Sequence, residues 1–186
     1  MKYTKVKPQG LVVIEPRIFE DDRGFFFESW QEKSFVENVT NTRFVQDNIS
    51  FSKKGTIRGL HYQVGDNPQG KLCQVLTGEV LDVAVDIRFG SPTFGEIFAI
   101  KLSADNKKQF WLPPGFAHGF SVLSEEALFM YKCTGYYSKK DERAITFTDK
   151  TLNIDWLVEN PVLSEKDRLA PKFEQIERDF IFGSNC

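Results

Sequence analysis

The chain has 186 residues, of which 41% are hydrophobic and 27% charged, and its formal net charge is -2. This length and composition predict one globular domain over residues 1–186 and exclude a disordered or fibrous protein. Acidic and basic side chains are interspersed along the chain, so it offers no basic tract that would bind nucleic acid.

The predicted elements are short strands separated by polar turns. The 18 Phe residues are scattered among Val, Ile and Thr, and such side chains pack well on a pleated sheet. The predicted strands, in chain order, are Leu11–Ile14, Phe25–Trp30, Phe44–Ser50, Thr56–Gln63, Leu72–Thr77, Val80–Ile87, Ile97–Leu102, Phe110–Leu112, Phe120–Leu123, Leu128–Cys133 and Ile145–Phe147. Helices are predicted only at Gln31–Asn38 and after Ser164, which can cap the segment EKDRL. Because strands do not alternate with helices, the pattern predicts an all-β sandwich or barrel.

The strand at Val80–Ile87 carries two carboxylates on one face. Side chains alternate along a strand, so Asp82 and Asp86 point to the same side. This face is either the wet outer surface of an antiparallel sheet or the polar wall of an internal cavity. The sequence leaves both interpretations open.

Signals for secretion and for membrane insertion are absent from the sequence. The first residues contain no apolar core of a signal peptide, and no run approaches the roughly 18 apolar residues of a membrane span. We therefore expect a cytoplasmic protein with no membrane partner. Cys73, Cys133 and Cys186 have wide spacings that match neither zinc-binding nor redox motifs, so we expect reduced thiols, with Cys186 mobile in a polar tail.

The two histidines lie in unusual contexts. His61 ends the run RGLH, and His118 ends PPGFAH, which has the P-x-G-x-x-H form of the second cupin sequence motif. Metal-binding cupins use three His and a Glu, and two histidines cannot supply that set. We therefore predict no catalytic metal, although mixed carboxylate ligation stays open. An imidazole can instead remove a proton next to a carbonyl group when a carboxylate orients it, and Asp82 and Asp167 are the candidate carboxylates.

The whole pattern resembles the dTDP-4-dehydrorhamnose 3,5-epimerase family over nearly the full length of the chain. The segments that carry the resemblance occur in family order: Asp22–Glu28, Gln46–Asn48, Arg58–Tyr62, Gly78–Asp86, Ser91–Gly95, Gly115–Gly119, Tyr131–Thr134 and Ser164–Asp167. The resemblance implies a cupin-type jelly roll (double-stranded β-helix) with short flanking helices, acting as a homodimer without cofactor. It implies dTDP-4-dehydro-6-deoxy-D-glucose as substrate and dTDP-4-dehydro-L-rhamnose as product, in dTDP-L-rhamnose biosynthesis.

The resemblance also implies roles for individual residues. His61 is the expected base at C3 and C5, Asp167 and Asp82 its expected orienting carboxylates, and Tyr131 the expected acid on the opposite face. Lys71 and His118 are expected to polarise the ketone or hold a phosphate, and Tyr137 to stack on thymine. The full set of expected substrate-binding residues is Arg23, Glu28, Gln46, Asp47, Asn48, Arg58, Lys71, His118, Tyr137, Glu142 and Lys166.

Several alternatives remain at this point. A regular strand would place Arg58 and His61 on opposite faces, so either Gly59 marks a bulge or Arg58 faces a site in another subunit. The chain could also be an epimerase that acts at one carbon of another deoxysugar, since function varies on one fold. A related 3,4-ketoisomerase, a non-catalytic sugar-binding module and a metal-dependent cupin are further rivals, which fit the motifs less well.

Overall fold

The computed structural model describes residues 1–183, so the expectation for Cys186 concerns a residue outside this range. Nearly all regular structure in this range is strand. The strands are β1 (Lys2–Lys5), β2 (Val12–Glu15), β3 (Phe19–Asp21), β4 (Gly24–Phe26), β5 (Gln46–Lys53), β6 (Ile57–Gln63), β7 (Lys71–Thr77), β8 (Glu79–Asp86), β9 (Ile97–Ser103), β10 (Gln109–Leu112), β11 (Phe116–Val122), β12 (Glu126–Cys133) and β13 (Glu142–Ala144). The helices are α1 (Glu32–Asn38), α2 (Glu165–Arg168) and one 3₁₀ turn (Phe173–Gln175).

Two antiparallel sheets form the body of the fold. The six-stranded sheet has the order β1-β2-β10-β7-β12-β5, the five-stranded sheet has the order β13-β6-β11-β8-β9, and β3 pairs with β4 in a separate hairpin. Most neighbouring strands are distant in sequence, because the chain crosses repeatedly between the sheets as in a jelly roll. The predicted all-β jelly roll with short flanking helices is confirmed.

An aromatic core joins the inner faces of the two sheets. Phe120 of the five-stranded sheet stacks on Phe129 of the six-stranded sheet with ring centroids 4.2 Å apart. Phe98 and Phe110 make a second contact across the sheets at 5.3 Å. Burying one such side chain contributes about 1.5–3 kcal/mol. This core therefore holds the sheets in register at one end and leaves room for a cavity beside it.

The outer face of the five-stranded sheet is covered by the C-terminal segment. Trp156, Phe173 and Phe180 pack against the side chains of β8 that point away from the inner core. Both faces of β8 are consequently buried, and the interpretation of its acidic face as a wet outer surface is wrong. The same segment contains α2, so this packing also fixes the position of Asp167.

The second carboxylate of β8 has a structural role. Asp86 is fully buried and accepts hydrogen bonds from Arg88, Ser91 and Thr93, the last two at 2.8 and 2.7 Å. Burial, the largest single influence, raises the pKa of Asp86. The hydrogen bonds together outweigh burial, so the pKa lies below its ordinary value. Asp86 therefore holds the loop that follows β8 in place.

The main errors in strand prediction have identifiable causes. The predicted strand Phe25–Trp30 ends at Phe26, because Trp30 turns away to pack on α1 and Phe44. The predicted strand Ile145–Phe147 is wrong, because β13 ends at Ala144: Ile145 still bonds Leu60, but the next residue bonds the C-terminal segment instead. Three short strands were not predicted, namely β1, β3 and β13. The helix predictions are confirmed, with Gln31 capping α1 and Ser164 capping α2.

Candidate active site

A cavity of about 700 Å³ opens between the two sheets. Its apolar wall is formed by Phe120 and Phe129 of the aromatic core. Its polar wall contains many of the residues predicted from sequence: Arg58, His61, Lys71, His118, Tyr131, Lys166 and Asp167. A concave, partly apolar site with converging polar groups is typical of small-molecule binding.

His61 is oriented by Asp167. The ring Nε2 of His61 lies 2.5 Å from Asp167 Oδ1, and the other carboxylate oxygen accepts a hydrogen bond from Ser164 Oγ at 2.8 Å. Burial raises the pKa of Asp167, but His61, Ser164 and Lys166 together hold it below its ordinary value. Asp167 therefore stays ionised and fixes one ring nitrogen of His61. The His61 side chain is 27% exposed, so the ring remains open to the cavity.

Asp82 pairs with the other histidine. His118 Nε2 lies 2.9 Å from Asp82 Oδ1, and both side chains are buried. The expectation that Asp82 orients His61 is therefore wrong for this structure, because β11 lies between β8 and β6 and brings His118 to Asp82 first. Burial lowers the pKa of His118, and the neighbouring Asp82 offsets only part of this effect. His118 is thus a neutral ring at neutral pH.

A bulge in β6 brings Arg58 to the same side as His61. Opposite β11, His61 pairs with His118 and Arg58 with Phe120, so β6 has one residue more than β11 between these pairs. Gly59 lies in the bulge with φ of +125°, a conformation that favours glycine. Of the two alternatives that the sequence left open, the structure contains the bulge. Arg58 then reaches across to β5, where it donates a hydrogen bond to Ser52 Oγ at 3.0 Å.

The six-stranded sheet contributes a cation and a phenol. Lys71 is buried on β7, and its Nζ lies 5.9 Å from the ring centroid of Tyr131 on β12. Burial lowers the pKa of Lys71 and raises that of Tyr131 to about 12. Tyr131 therefore carries its proton at neutral pH. Because it lies on the sheet opposite His61, an acid and a base face the cavity from two sides.

The chain matches the family model described as dTDP-4-dehydrorhamnose 3,5-epimerase over residues 5–175. It belongs to the dTDP-4-dehydrorhamnose 3,5-epimerase family. The enzyme of that name from Shigella flexneri is 53% identical over 97% of this chain and 99% of its own length. Membership makes this protein an isomerase, and the paired acid and base of the cavity suit that class of reaction.

Solved structures agree with this assignment. The epimerase from Legionella pneumophila, in complex with dTDP-4-keto-L-rhamnose, superposes with a TM-score of 0.94 at 49% identity and covers 98% of this chain and 99% of its own. A 3'-monoepimerase from Streptomyces bikiniensis, in complex with dTDP-quinovose, superposes with a TM-score of 0.86 at 31% identity, over 91% of this chain and 86% of its own. The jelly roll thus serves both double and single epimerases.

Polar residues beside the cavity of this epimerase form a connected surface. Tyr137 donates hydrogen bonds from its backbone N–H to Gln46 Oε1 at 3.0 Å and from its hydroxyl to Glu142 Oε2 at 3.2 Å. Glu142 in turn forms an ion pair with Lys166, which lines the cavity. Gln46 also bonds Asn48 at 3.0 Å. The structure therefore brings these predicted binding residues together at one edge of the cavity.

Three further predicted binding residues belong neither to the cavity wall nor to this connected surface. Arg23 lies at the exposed hairpin β3–β4, where it pairs with Asp21, and Glu28 lies exposed after the hairpin. Asp47 points outward from β5 and pairs with Lys132. None of these three residues is part of the cavity wall. They can contact a ligand in this cavity only if the ligand extends out of it or if another subunit presents them.

Sequence reasoning missed several residues that line the cavity or lie against it. Ser50 and Ser52 face inward from β5, and Cys73 lies beside His118 with its Sγ 3.7 Å from the ring Nε2. Alternation along β5 could have identified the serines, because they share parity with Gln46 and Asn48. Nothing in the sequence distinguished Cys73 from a packing residue.

Proposed function

We propose that this epimerase converts dTDP-4-dehydro-6-deoxy-D-glucose to dTDP-4-dehydro-L-rhamnose by inverting C3 and C5, a step in dTDP-L-rhamnose biosynthesis. One observation carries the proposal: the His61–Asp167 pair and the Tyr131 phenol face one cavity from opposite sheets. Inversion needs a base on one face of the sugar and an acid on the other, because a single group returns the proton to the face from which it came.

The C4 ketone makes the hydrogens on both neighbouring carbons acidic. His61 takes the proton from C3 or C5 through its free ring nitrogen, while Asp167 stabilises the imidazolium that forms. The electron pair moves onto the C4 oxygen, and Tyr131 donates its proton to the carbon from the opposite face. Solvent restores the phenol proton and removes the proton from His61. The ketone supplies the acidity, so the proposal includes no cofactor and no metal.

Lys71 is the proposed partner of the C4 oxygen. A buried ammonium stabilises a developing enolate more strongly than a solvated one, since the local dielectric constant is low. The neutral ring of His118 donates through Nε2 to Asp82, so its Nδ1 is the proposed acceptor of a hydrogen bond from a sugar hydroxyl. The free hydroxyl of Ser50, which has no hydrogen-bond partner among residues 1–183, adds a further contact for the sugar.

The nucleotide is proposed to lie along the surface that joins Gln46, Asn48, Tyr137 and Glu142. Tyr137 is exposed and presents a flat face for the thymine ring, and the amide groups can bond its polar edge. Arg58 and Lys166 then lie between base and sugar, where their charges suit the diphosphate.

A homodimer explains the position of Arg23 and Glu28. The edge strand β5 exposes Ile49 and Phe51, which are 62% and 54% accessible, and hairpin β3–β4 exposes Phe25 and Phe26. Exposed apolar edge strands favour pairing with another chain. We propose that a second copy covers this edge and that its hairpin presents Arg23 and Glu28 to the cavity.

Mixed dimers test that proposal. Arg23→Ala and His61→Ala chains are each expected to be nearly inactive alone. If Arg23 acts in the partner's site, co-expressed mixed dimers contain one intact cavity and recover activity toward half of the wild-type value. No recovery in dimers shown to be mixed would place Arg23 in its own site and contradict the arrangement.

The cellular setting is also part of the proposal. Residues 1–183 contain no helix long and apolar enough to cross a membrane. We propose a cytoplasmic enzyme, because its nucleotide-sugar substrate is made there, and one domain over residues 1–186. Fractionation of cells that express the tagged protein measures the location.

Deuterium incorporation tests the reaction. The protein is incubated with dTDP-4-dehydro-6-deoxy-D-glucose in heavy water, the ketosugar is trapped by reduction, and NMR locates deuterium. Deuterium with inversion at both C3 and C5, lost in His61→Ala, supports the proposal. Inversion at one carbon would identify an epimerase that acts at a single carbon, as the Streptomyces bikiniensis relative is named. Exchange at neither carbon would contradict this substrate.

A further inference from the structure

A cluster of metal-binding side chains lies behind the cavity wall. Cys73 of β7 and Asp82 of β8 are 0% exposed, and His118 of β11 is 6% exposed. One sulfur, one carboxylate oxygen and one ring nitrogen of these residues lie within 4.8 Å of one another. Thiolate, carboxylate and imidazole are the three ligand types that bind Zn²⁺ in proteins.

The cluster has an unsatisfied ligand atom. Asp82 Oδ1 lies 2.9 Å from His118 Nε2, but Asp82 Oδ2 is fully buried and has no hydrogen-bond partner in the described part of the chain. A buried carboxylate oxygen without a partner is costly. A cation bound at this point would relieve that cost.

The separations suit one ion. Metal bonds of about 2.0–2.3 Å at tetrahedral angles place neighbouring ligand atoms about 3.3–3.8 Å apart. The distance from Cys73 Sγ to His118 Nε2 is 3.7 Å, and the shorter distance from His118 Nε2 to Asp82 needs to widen by a few tenths of an ångström. His118 lines the cavity, so the cluster lies directly behind the cavity wall.

We propose that Cys73, Asp82 and His118 form a binding site for a thiophilic divalent cation such as Zn²⁺, and that the bound ion inhibits the epimerase. Zn²⁺ with one thiolate, one carboxylate and one neutral imidazole has no net charge, which lowers the free-energy cost of burying the ion where the dielectric constant is low. The Cys73 thiol loses its proton to solvent as the Zn–S bond forms. His118 binds as the tautomer protonated on Nδ1, which leaves the Nε2 lone pair for the ion.

The ionisation state of each ligand fixes how binding depends on pH. Burial raises the pKa of the Cys73 thiol well above its ordinary value, so the metal must displace a tightly held proton. Affinity therefore increases with pH, by up to tenfold per unit for one released proton. The lowered pKa of His118 keeps that ring unprotonated and ready to bind.

The inhibition rests on the proposed function. The ion binds Nε2, so the proton of His118 moves to Nδ1, which can then no longer accept a hydrogen bond from the sugar.

Cobalt spectroscopy tests the site without measuring activity. Titration of the metal-free protein with Co²⁺ is expected to give a sulfur-to-cobalt charge-transfer band that saturates at one equivalent. Cys73→Ala is expected to lose the band, with Cys73→Val as a second variant in case the first folds poorly. Cys133→Ala is the matched control, because Cys133 is also buried on the inner face of the six-stranded sheet but lies outside the cluster. No band in the wild type, or a band that survives in both Cys73 variants, overturns the proposal.

Inhibition is measured with the same proteins. Zn²⁺ is expected to lower the epimerase rate at least tenfold in the wild type and in Cys133→Ala, with recovery on adding a chelator. Cys73→Ala is expected to keep its metal-free rate in Zn²⁺. A Cys73-dependent band without loss of rate overturns the inhibitory role. If the metal-free protein does not turn over the substrate but still shows the band, the proposed function fails and the metal site stands.

Discussion

Replacing Asp167 with Asn tests which carboxylate orients the base. Asn has nearly the same shape, and the backbone N–H of residue 167 still donates to Ser164 Oγ at 3.1 Å, so α2 keeps its cap. The amide lacks the negative charge that lies 2.5 Å from His61 Nε2. The change therefore removes the charge from the pair and leaves the surrounding fold in place.

The size of the effect follows from the charge pair. An opposite charge at about 4 Å stabilises the imidazolium by roughly 4 kcal/mol when the effective dielectric constant is about 20. The solvent-exposed quarter of the His61 side chain reduces this to about 3 kcal/mol by screening. Since about 1.4 kcal/mol corresponds to tenfold in rate, kcat is expected to fall about 10²-fold, within the range of general-base catalysis.

The assay is steady-state turnover of dTDP-4-dehydro-6-deoxy-D-glucose by the wild type, Asp167→Asn and Asp82→Asn. We expect Asp167→Asn to lower kcat with little change in KM. Asp82→Asn is expected to raise KM, because His118 loses the carboxylate that holds its ring in place. A kcat for Asp167→Asn within threefold of the wild type refutes the reasoning. A larger fall in kcat for Asp82→Asn than for Asp167→Asn refutes the assignment of the two pairs. Thermal unfolding of each variant separates these outcomes from loss of the fold.

Three further changes probe the rest of the site. Tyr131→Phe is expected to retain deuterium exchange by His61 but to lower the rate of inversion at least about 10²-fold, as measured by NMR of the trapped sugar. Equal loss of exchange and inversion would contradict the role of Tyr131 as the acid. The lowered pKa of Lys71 makes the wild type lose activity as pH rises, before Tyr131 ionises near pH 12. Lys71→Met is therefore expected to remove this first alkaline limb from the pH profile of kcat/KM. An unchanged limb would exclude Lys71 as its cause. Gly59→Ala is expected to lower the free energy of unfolding by at least about 2 kcal/mol, because the added Cβ would lie 2.5 Å from Gly119 Cα and φ is positive at this position. Chemical denaturation measures this, and unchanged stability would contradict a tight bulge.

The sequence predicted the fold class and the residues of the cavity through strand patterns and motifs. Alternation placed Asp82 on a face with small side chains, and Gly59 between Arg58 and His61 indicated the bulge that the structure contains. These predictions succeed because side-chain direction and glycine conformation are local properties of the backbone.

The remaining features depend on how distant strands meet. The sequence could not choose between Asp82 and Asp167 as the partner of His61, because that choice depends on the order of β6, β11 and β8 in the sheet. It also left open whether the acidic face of β8 points inward or outward, since the segment that covers the opposite face lies about seventy residues further along the chain. Cys73 became notable only when β7 placed it against His118.

The two histidine–aspartate pairs have the same chemistry, yet burial separates their functions. His61 is open to the cavity, so it can take a proton from the sugar and release it to solvent in each cycle. The buried His118 resists protonation, because desolvation outweighs the attraction of Asp82. A ring that does not gain a proton cannot be the base, and because its Nε2–H donates to Asp82, its Nδ1 can only accept a hydrogen bond, as from a sugar hydroxyl. The depth of each pair in the sheet therefore supports the proposal that His61 moves protons and that His118 holds the substrate.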